Sequence, residues 1–325
     1  MIQQTTYREA IARALADEMA ANQDVLLIGE DVGASGGVFK STAGLYDRFG
    51  AMRVRDTPIS EQAIVGAALG AAIMGLRPVA EIMFADFAGV CFDQIANQLA
   101  KYRYMTGGQA RVPVTVRLAN GSGAGFGAQH SQPAENWFLN IPGLKIVVPA
   151  TVEDMYGLLR SAIQDDNPVL VFEHKSLFGT KGDIDDGLVV PLGVASVVRE
   201  GRDVTVVATQ QMRQRAVDAA EILAATGIEV EVLDPRTLVP FDDAAVVRSL
   251  ERTSRLVVVQ EASPDGSWGA SLVARVASAH FPLLDAPPSL VAADPTPVPY
   301  AANLEEQWAP TTERIVAAVE KTVAY

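Results

Sequence analysis

Apolar positions recur at helical spacing from Tyr7 to Ala21, through Ala10, Ile11, Ala14, Leu15 and Met19, and the run Val25–Gly29 then reads as a short buried strand. The same change of period repeats downstream. A strand is predicted over 79–84, a helix over 87–104 and a strand over 112–118, and strands at 145–148 and 168–173 bracket a helix at Val152–Gln164. Such alternation predicts an α/β fold with a doubly wound, mostly parallel sheet. At 180–187 the pattern lapses into Gly, Asp and Lys, which reads as a linker. Beyond it, strands at 203–209, 228–233 and 256–261 alternate with helices at 213–226, 243–252 and 269–279. The expected domains are therefore 1–185 and 186–325. Pro295, Pro297 and Pro299 predict an extended tail, and a helix over 310–323 closes the chain.

One predicted helix breaks the amphipathic rule. After Asp56-Thr57-Pro58-Ile59-Ser60-Glu61 come Ala63, Gly66, Ala67, Ala68, Gly70, Ala71, Ala72 and Gly75, interrupted by Ile64, Val65, Leu69, Ile73 and Met74. A helix with no polar face reads as buried on all sides, and Gly66 and Gly70 lie on one stripe where another backbone can approach. Glu61 then sits at the positive end of the helix dipole, which favours its charge, yet short of water, which opposes it. Two readings remain open: Glu61 has a chemical task, or Glu61 or Ser60 merely caps the helix.

Composition narrows the classes. A length of 325 residues suits two domains. The longest apolar stretch, 63–76, is shorter than the about 20 residues a membrane span needs. The segment Met1-Ile2-Gln3-Gln4-Thr5-Thr6 has no basic region followed by an apolar block, so a cytoplasmic location is expected. Cys91 is the only cysteine, which excludes an intrachain disulfide and a multi-cysteine metal site. The net charge of −13 argues against a nucleic-acid partner, and serves solubility or a basic protein partner.

Candidate chemistry is sparse. Gly121, Gly123, Gly125 and Gly127 alternate along a loop that permits close backbone approach, but they match neither the dinucleotide fingerprint nor the P-loop. The loop leads to His130, a residue suited to moving protons or simply to surface hydrogen bonding. Asp165, Asp166 and Asn167 could ligate a hard cation or form a turn before Pro168. An acid, a histidine and a glycine-lined opening without an electrophile suggest a borrowed cofactor.

Several ordered segments carry a resemblance: Leu27-Ile28-Gly29-Glu30-Asp31-Val32, Asp56 to Glu61, Gly75-Leu76-Arg77-Pro78, Ala128-Gln129-His130-Ser131-Gln132, Pro142-Gly143-Leu144-Lys145 and Thr296-Pro297-Val298-Pro299-Tyr300. Together they resemble, essentially end to end, the β subunit of the thiamine-diphosphate-dependent E1 component of 2-oxo-acid and acetoin dehydrogenase complexes. The resemblance implies a pyrimidine-binding domain followed by a transketolase C-terminal-like domain. It implies that Glu61 hydrogen-bonds N1′ of the cofactor's aminopyrimidine, that Ile59 and Phe87 line the same pocket, and that His130 handles protons or the acyl group near the reacting carbonyl. It also implies a structural potassium ion at Val114, Ala162, Ile163, Asp165 and Asn167.

In the resembled family a Gly-Asp-Gly segment holds the Mg²⁺ and diphosphate, and this sequence contains none; Gly182-Asp183-Ile184 is nearest. The resemblance therefore implies an α subunit that supplies the metal, an α2β2 assembly with β–β association, and an E2 lipoyl acyltransferase core as a further partner. Acetoin and pyruvate are the leading substrates, with branched-chain 2-oxo acids behind; Phe84-Ala85-Asp86-Phe87-Ala88-Gly89 and Glu173-His174-Lys175 lean towards acetoin. Two alternatives stand beside it: a transketolase-like enzyme lacking its diphosphate domain, and a non-catalytic scaffold, which would need neither Glu61 nor His130.

Overall fold

The computed structural model describes residues 3–325; Met1 and Ile2, the start of the segment read as lacking a basic leader, lie outside it. Thr6 sets the first helix. Its hydroxyl accepts from the Glu9 amide (3.3 Å) while Glu9 Oε2 accepts from the Thr6 amide (2.8 Å), a reciprocal cap that satisfies two otherwise orphaned donors. Strand β1 (Gln3–Thr6) thus passes directly into α1 (Tyr7–Ala21). The chain continues through β2 (Val25–Gly29), α2 (Leu45–Phe49), β3 (Val54–Asp56), α3 (Glu61–Ile73) and β4 (Arg77–Ile82). Then come α4 (Ala100–Met105), β5 (Thr115–Asn120), β6 (Lys145–Val147), α5 (Val152–Gln164), β7 (Val169–His174) and β8 (Lys181–Ile184).

These elements form the first of two units, residues 1–120 with 137–192. Its parallel strands run in the order β6-β7-β5-β4-β2-β3, the α/β sheet that alternation predicts. Helices α1 and α5 cover one face, where Ile11, Leu15, Met19, Tyr156 and Leu159 bury against strand residues such as Leu27 and Val171.

The structure departs from the sequence reading at three elements. The helix expected over 87–104 is divided into a 3₁₀ turn at Ala85–Gly89, a π turn at Gln94–Leu99 and then α4. Gln94 lies over α3 there, its Oε1 3.3 Å from where a Cβ on Gly66 would stand. The supposed linker contains β8, which pairs antiparallel with β1. Gly182 makes this possible, because a Cβ at that position would come 2.9 Å from Val152 Cβ.

The third departure is α3, which is not buried on every side. Ile64, Val65, Ala68, Leu69 and Ala72 face inward, whereas Ala63, Ala67 and Gly70 are exposed. Its near-uniform apolarity concealed an exposed side that carries Gln62, Ala63, Ala67, Gly70 and Ile73, while Gly66, expected to share an open stripe with Gly70, is half-buried with Gln94 over it. Ser60, one of the two residues expected as a cap, forms no side-chain cap.

The second unit comprises 193–325 together with 121–136. It contains β9 (Ser196–Arg199), β10 (Val204–Ala208), α6 (Gln210–Ala224), β11 (Val230–Asp234), β12 (Thr237–Val239) and α7 (Asp243–Thr253). It continues through β13 (Leu256–Val259), α8 (Trp268–Ala279), β14 (Ser289–Val291), α9 (Ala302–Trp308) and α10 (Thr312–Val323). Strands β14-β13-β10-β11 are parallel and β9 closes the edge antiparallel. Side-chain caps at Asp242, Ser267 and Thr311 open α7, α8 and α10. Residues 294–300 carry no regular structure, as their prolines predict. No helix among the described residues is long and apolar enough to cross a membrane.

Candidate active site

In open parallel sheets, ligands bind beyond the carboxyl ends of the strands. Three chain segments meet that edge in the first unit. Glu30 follows β2, the segment to Glu61 follows β3, and Phe87 lies just past β4. The first two are fastened together: the Gly33 amide donates to Asp56 Oδ1 (2.6 Å) and the Thr57 amide to the Gly29 carbonyl (3.0 Å). Only glycine allows this approach at position 33, since a Cβ there would lie 2.4 Å from Asp56 Oδ2.

Glu61 is buried at the first position of α3, and Glu30 is buried beside it. Burial raises the Glu30 carboxyl above the usual carboxylate range, the nearby Glu61 charge raises it further, and the Ser60 amide that it accepts from opposes both. Ile59 stands 83% exposed next to them, and Phe87 is half-buried with its ring edge-on to Phe84 at 5.7 Å. The arrangement offers apolar side chains near two buried carboxyls.

Cys91 lies close to the same pair. Its thiol is buried, near the Phe87 and Ala88 carbonyls, and burial with the Glu61 charge pushes its pKa up to about 12. Since the thiolate is the reactive form, native protein at pH 8 should resist iodoacetamide over hours, while denatured protein labels within minutes. Rapid native labelling, read by mass spectrometry, would contradict this burial.

His130 is carried by 121–136, which the structure assigns to the second unit. It is half-buried, and its amide donates to the Gly127 carbonyl (3.3 Å) in a turn. Gly121, Gly123, Gly125 and Gly127 all have positive φ, between +70° and +85°.

The potassium set lies at the opposite, N-terminal edge of the first unit's sheet, before β5 and β7. Arg77 Nη1 donates to the carbonyls of Ile163 (3.2 Å) and Asp165 (3.1 Å), and Arg103 Nη1 to Asn167 Oδ1 (2.7 Å). Lys145 Nζ pairs with Asp165 Oδ2, the Val114 carbonyl accepts from the Val169 amide (3.0 Å), and that of Ala162 from the Asp165 amide (3.3 Å). Two of the five, the Ile163 and Asp165 carbonyls, are brought together on the Arg77 guanidinium, which already supplies positive charge there. They fit a potassium ion only if it shares those carbonyls with Arg77 against like-charge repulsion. Among the described residues there is no cluster of three or more His, Cys, Asp or Glu able to hold a metal.

Sequence reasoning assigned no role to Glu30, although it stood in a quoted segment. It also passed over a fully buried charge cluster. Arg117, 1% exposed, donates through Nη1 to Glu81 Oε2 (2.5 Å), through Nε and Nη2 to the two oxygens of Glu173 (2.6 and 3.0 Å), and through Nη2 to Ser41 (3.2 Å). A signal was available: each of the three charges interrupts an apolar strand, and Glu81 and Arg117 are direct neighbours in β4 and β5.

The comparisons agree with this architecture. Residues 3–181 match the transketolase pyrimidine binding domain, and residues 193–315 the transketolase C-terminal domain. The chain is 48% identical over 322 residues to the acetoin:2,6-dichlorophenolindophenol oxidoreductase subunit beta of Bacillus subtilis, covering 95% of this chain and 94% of that one. It is 44% identical over 322 residues to the pyruvate dehydrogenase E1 component subunit beta of Rhizobium meliloti, covering 98% and 70% respectively. Among solved structures, a split-gene transketolase described as an inactive β4 tetramer superimposes with a TM-score of 0.81 at 26% identity, covering 98% of both chains. With both halves of the chain matched in order and relatives of this identity aligned nearly end to end, the protein belongs to the transketolase-fold family of acetoin and pyruvate dehydrogenase E1 β subunits.

Proposed function

We propose that this chain is the pyrimidine-holding half of a thiamine-diphosphate-dependent E1 enzyme that cleaves acetoin, with pyruvate as the second substrate and branched-chain 2-oxo acids behind. The observation that carries the reading is the buried Glu61–Glu30 pair at the C-terminal edge of the sheet, with the exposed Ile59 next to it in sequence. Those residues fit an aminopyrimidine. Ile59 and Phe87 would supply apolar contact to its ring, and the Glu61 carboxyl would hydrogen-bond N1′. Glu30, raised by burial and by the neighbouring Glu61 charge, stands beside it as a second buried carboxyl. Bound thiamine diphosphate supplies the electron sink for the carbanion released when the bond beside the carbonyl breaks. His130 gives or takes a proton at the substrate oxygen.

An α subunit would bring Mg²⁺ and the diphosphate-binding segment, in an α2β2 assembly that passes the acyl group to a lipoyl-E2 core. The exposed Ala63–Ala67–Gly70 stripe on α3, directly after Glu61, suits close helix packing in that assembly. The order of substrates follows the 48% identity to the acetoin subunit against 44% for the pyruvate one. No step is assigned to potassium.

The test is reconstitution with the cognate α subunit, thiamine diphosphate and Mg²⁺, followed by dichlorophenolindophenol-linked turnover of acetoin, pyruvate and branched-chain 2-oxo acids. Acetoin should be turned over fastest, and the isolated chain should be inactive. Turnover by the isolated chain would sink the shared-site reading. Ketol transfer between sugar phosphates, with no dye reduction, would favour the split-transketolase alternative that the structural neighbour raises.

A further inference from the structure

The glycine loop that leads to His130 is held by two buried carboxylates far away in sequence. Glu305, 4% exposed on α9, accepts from the Gly123 amide through Oε1 (2.8 Å) and from the Gly125 amide through Oε2 (3.0 Å). Glu261, 6% exposed just after β13, accepts from the Ser122 amide (2.5 Å). Both glutamates and the whole loop lie in the second unit.

The glycines explain why carboxylates are needed. At Gly123 and Gly125, φ values of +85° and +72° turn alternate amides towards one side of the loop, where they cannot join a strand ladder. Gly123 is exposed and Gly125 half-buried, yet both amides bond to protein, because a carboxylate offers two charged oxygens that bind two of them at once. A charge-assisted bond of this kind is roughly twice as strong as a neutral one, so the loop is pinned at 122, 123 and 125 rather than left to sample its glycine freedom. Downstream, the His130 amide closes onto Gly127, and Asn136 Oδ1 accepts from the Trp268 amide (2.9 Å) at the start of α8. His130 therefore sits between two fixed points.

We infer that Glu305 and Glu261 are positioning residues for His130, acting by fixing the backbone of its loop. The inference rests on the proposed role of His130. A side chain that moves a proton must be held within a fraction of an ångström, and a misplacement of about 1 Å is enough to cost on the order of 100-fold in rate. Glutamine at 305 keeps the shape and one acceptor oxygen but loses the second, so it loosens the loop without emptying the site.

A double-mutant cycle in the reconstituted α2β2 enzyme tests this, with Glu305→Gln, His130→Ala and their combination, and Glu261→Gln as a parallel arm. Glu305→Gln should lower kcat by roughly ten- to a hundredfold with KM nearly unchanged, and speed amide hydrogen exchange across 122–130. In the His130→Ala background the same change should have no further effect on kcat, because the two act through one group. An equal loss in both backgrounds would overturn the positioning role while leaving His130 as a catalytic residue. Full activity in His130→Ala would overturn both, so the two failures are told apart. Unchanged exchange over 122–130 in Glu305→Gln, with assembly intact, would also overturn the inference.

Discussion

Glu61→Gln should reduce turnover of the reconstituted enzyme by at least about 1,000-fold while leaving the melting temperature and α-subunit binding unchanged. The size follows from what is removed. A positioned carboxyl acid or base contributes about 10² to 10⁴ in rate, and the amide can neither hold nor release the proton opposite N1′. Assembly should survive because the glutamine is isosteric and Glu61 makes no cap or ion pair that holds α3. Undiminished turnover, with thiamine diphosphate still bound, would remove Glu61 from the mechanism. Glu61→Asp, with its carboxyl drawn back by one methylene, should fall between the two.

Arg117→Met should destabilise the protein by about 3–5 kcal/mol, the range for breaking a buried ion pair from one side. The substitution leaves Glu81 and Glu173 in the sheet with no counter-charge. Burial already raises Glu173 above its ordinary value even with the guanidinium opposing it. Without Arg117, Glu173 should rise further. The pH dependence then has a definite sign. For a carboxyl raised in the folded state, stability is fullest at low pH and is lost as pH rises from the unfolded value through the folded one. The deficit of Arg117→Met should therefore be smaller near pH 5 than at pH 8. Replacing all three partners with apolar residues should recover much of the loss, since an intact buried cluster is no great source of stability by itself. Urea denaturation at both pH values measures this. A deficit independent of pH would show that lost packing, and not stranded charge, is the cause.

Much of the sheet was legible because its strands and helices change period cleanly. Helix α5 was placed to the residue, since Thr151 caps it, its apolar stripe is strong, and Asp165 to Pro168 end it. Strands β1, β8, β9 and β14 were not legible, because four-residue and shorter edges carry too little alternation to stand out from loops. The division of 87–104 was hidden for another reason. A π turn adds a residue to one helical turn without disturbing the local composition, so only the contact of Gln94 with Gly66 reveals it.

The candidate site was legible in part. Glu61 was singled out by a helix that has no polar face, and His130 by the loop before it. The pairing of Glu30 with Glu61 depends on β2 and β3 ending side by side, a contact across some thirty residues that no local pattern encodes. The carboxylates beneath the His130 loop are farther still: Glu305 reaches back 182 residues to Gly123. Polar groups serving distant backbone leave no periodic trace.

The exposed small residues of α3 reverse the usual relation between exposure and tolerance. In the isolated chain, Ala67 and Gly70 are surface positions, and enlarging them to leucine should leave folding almost untouched. In the proposed assembly the same positions decide how near a neighbouring helix can come to Glu61. The residues least free to change would then be on the outside of the subunit, and variants harmless by every measurement on the lone chain would be silent only until a partner is added.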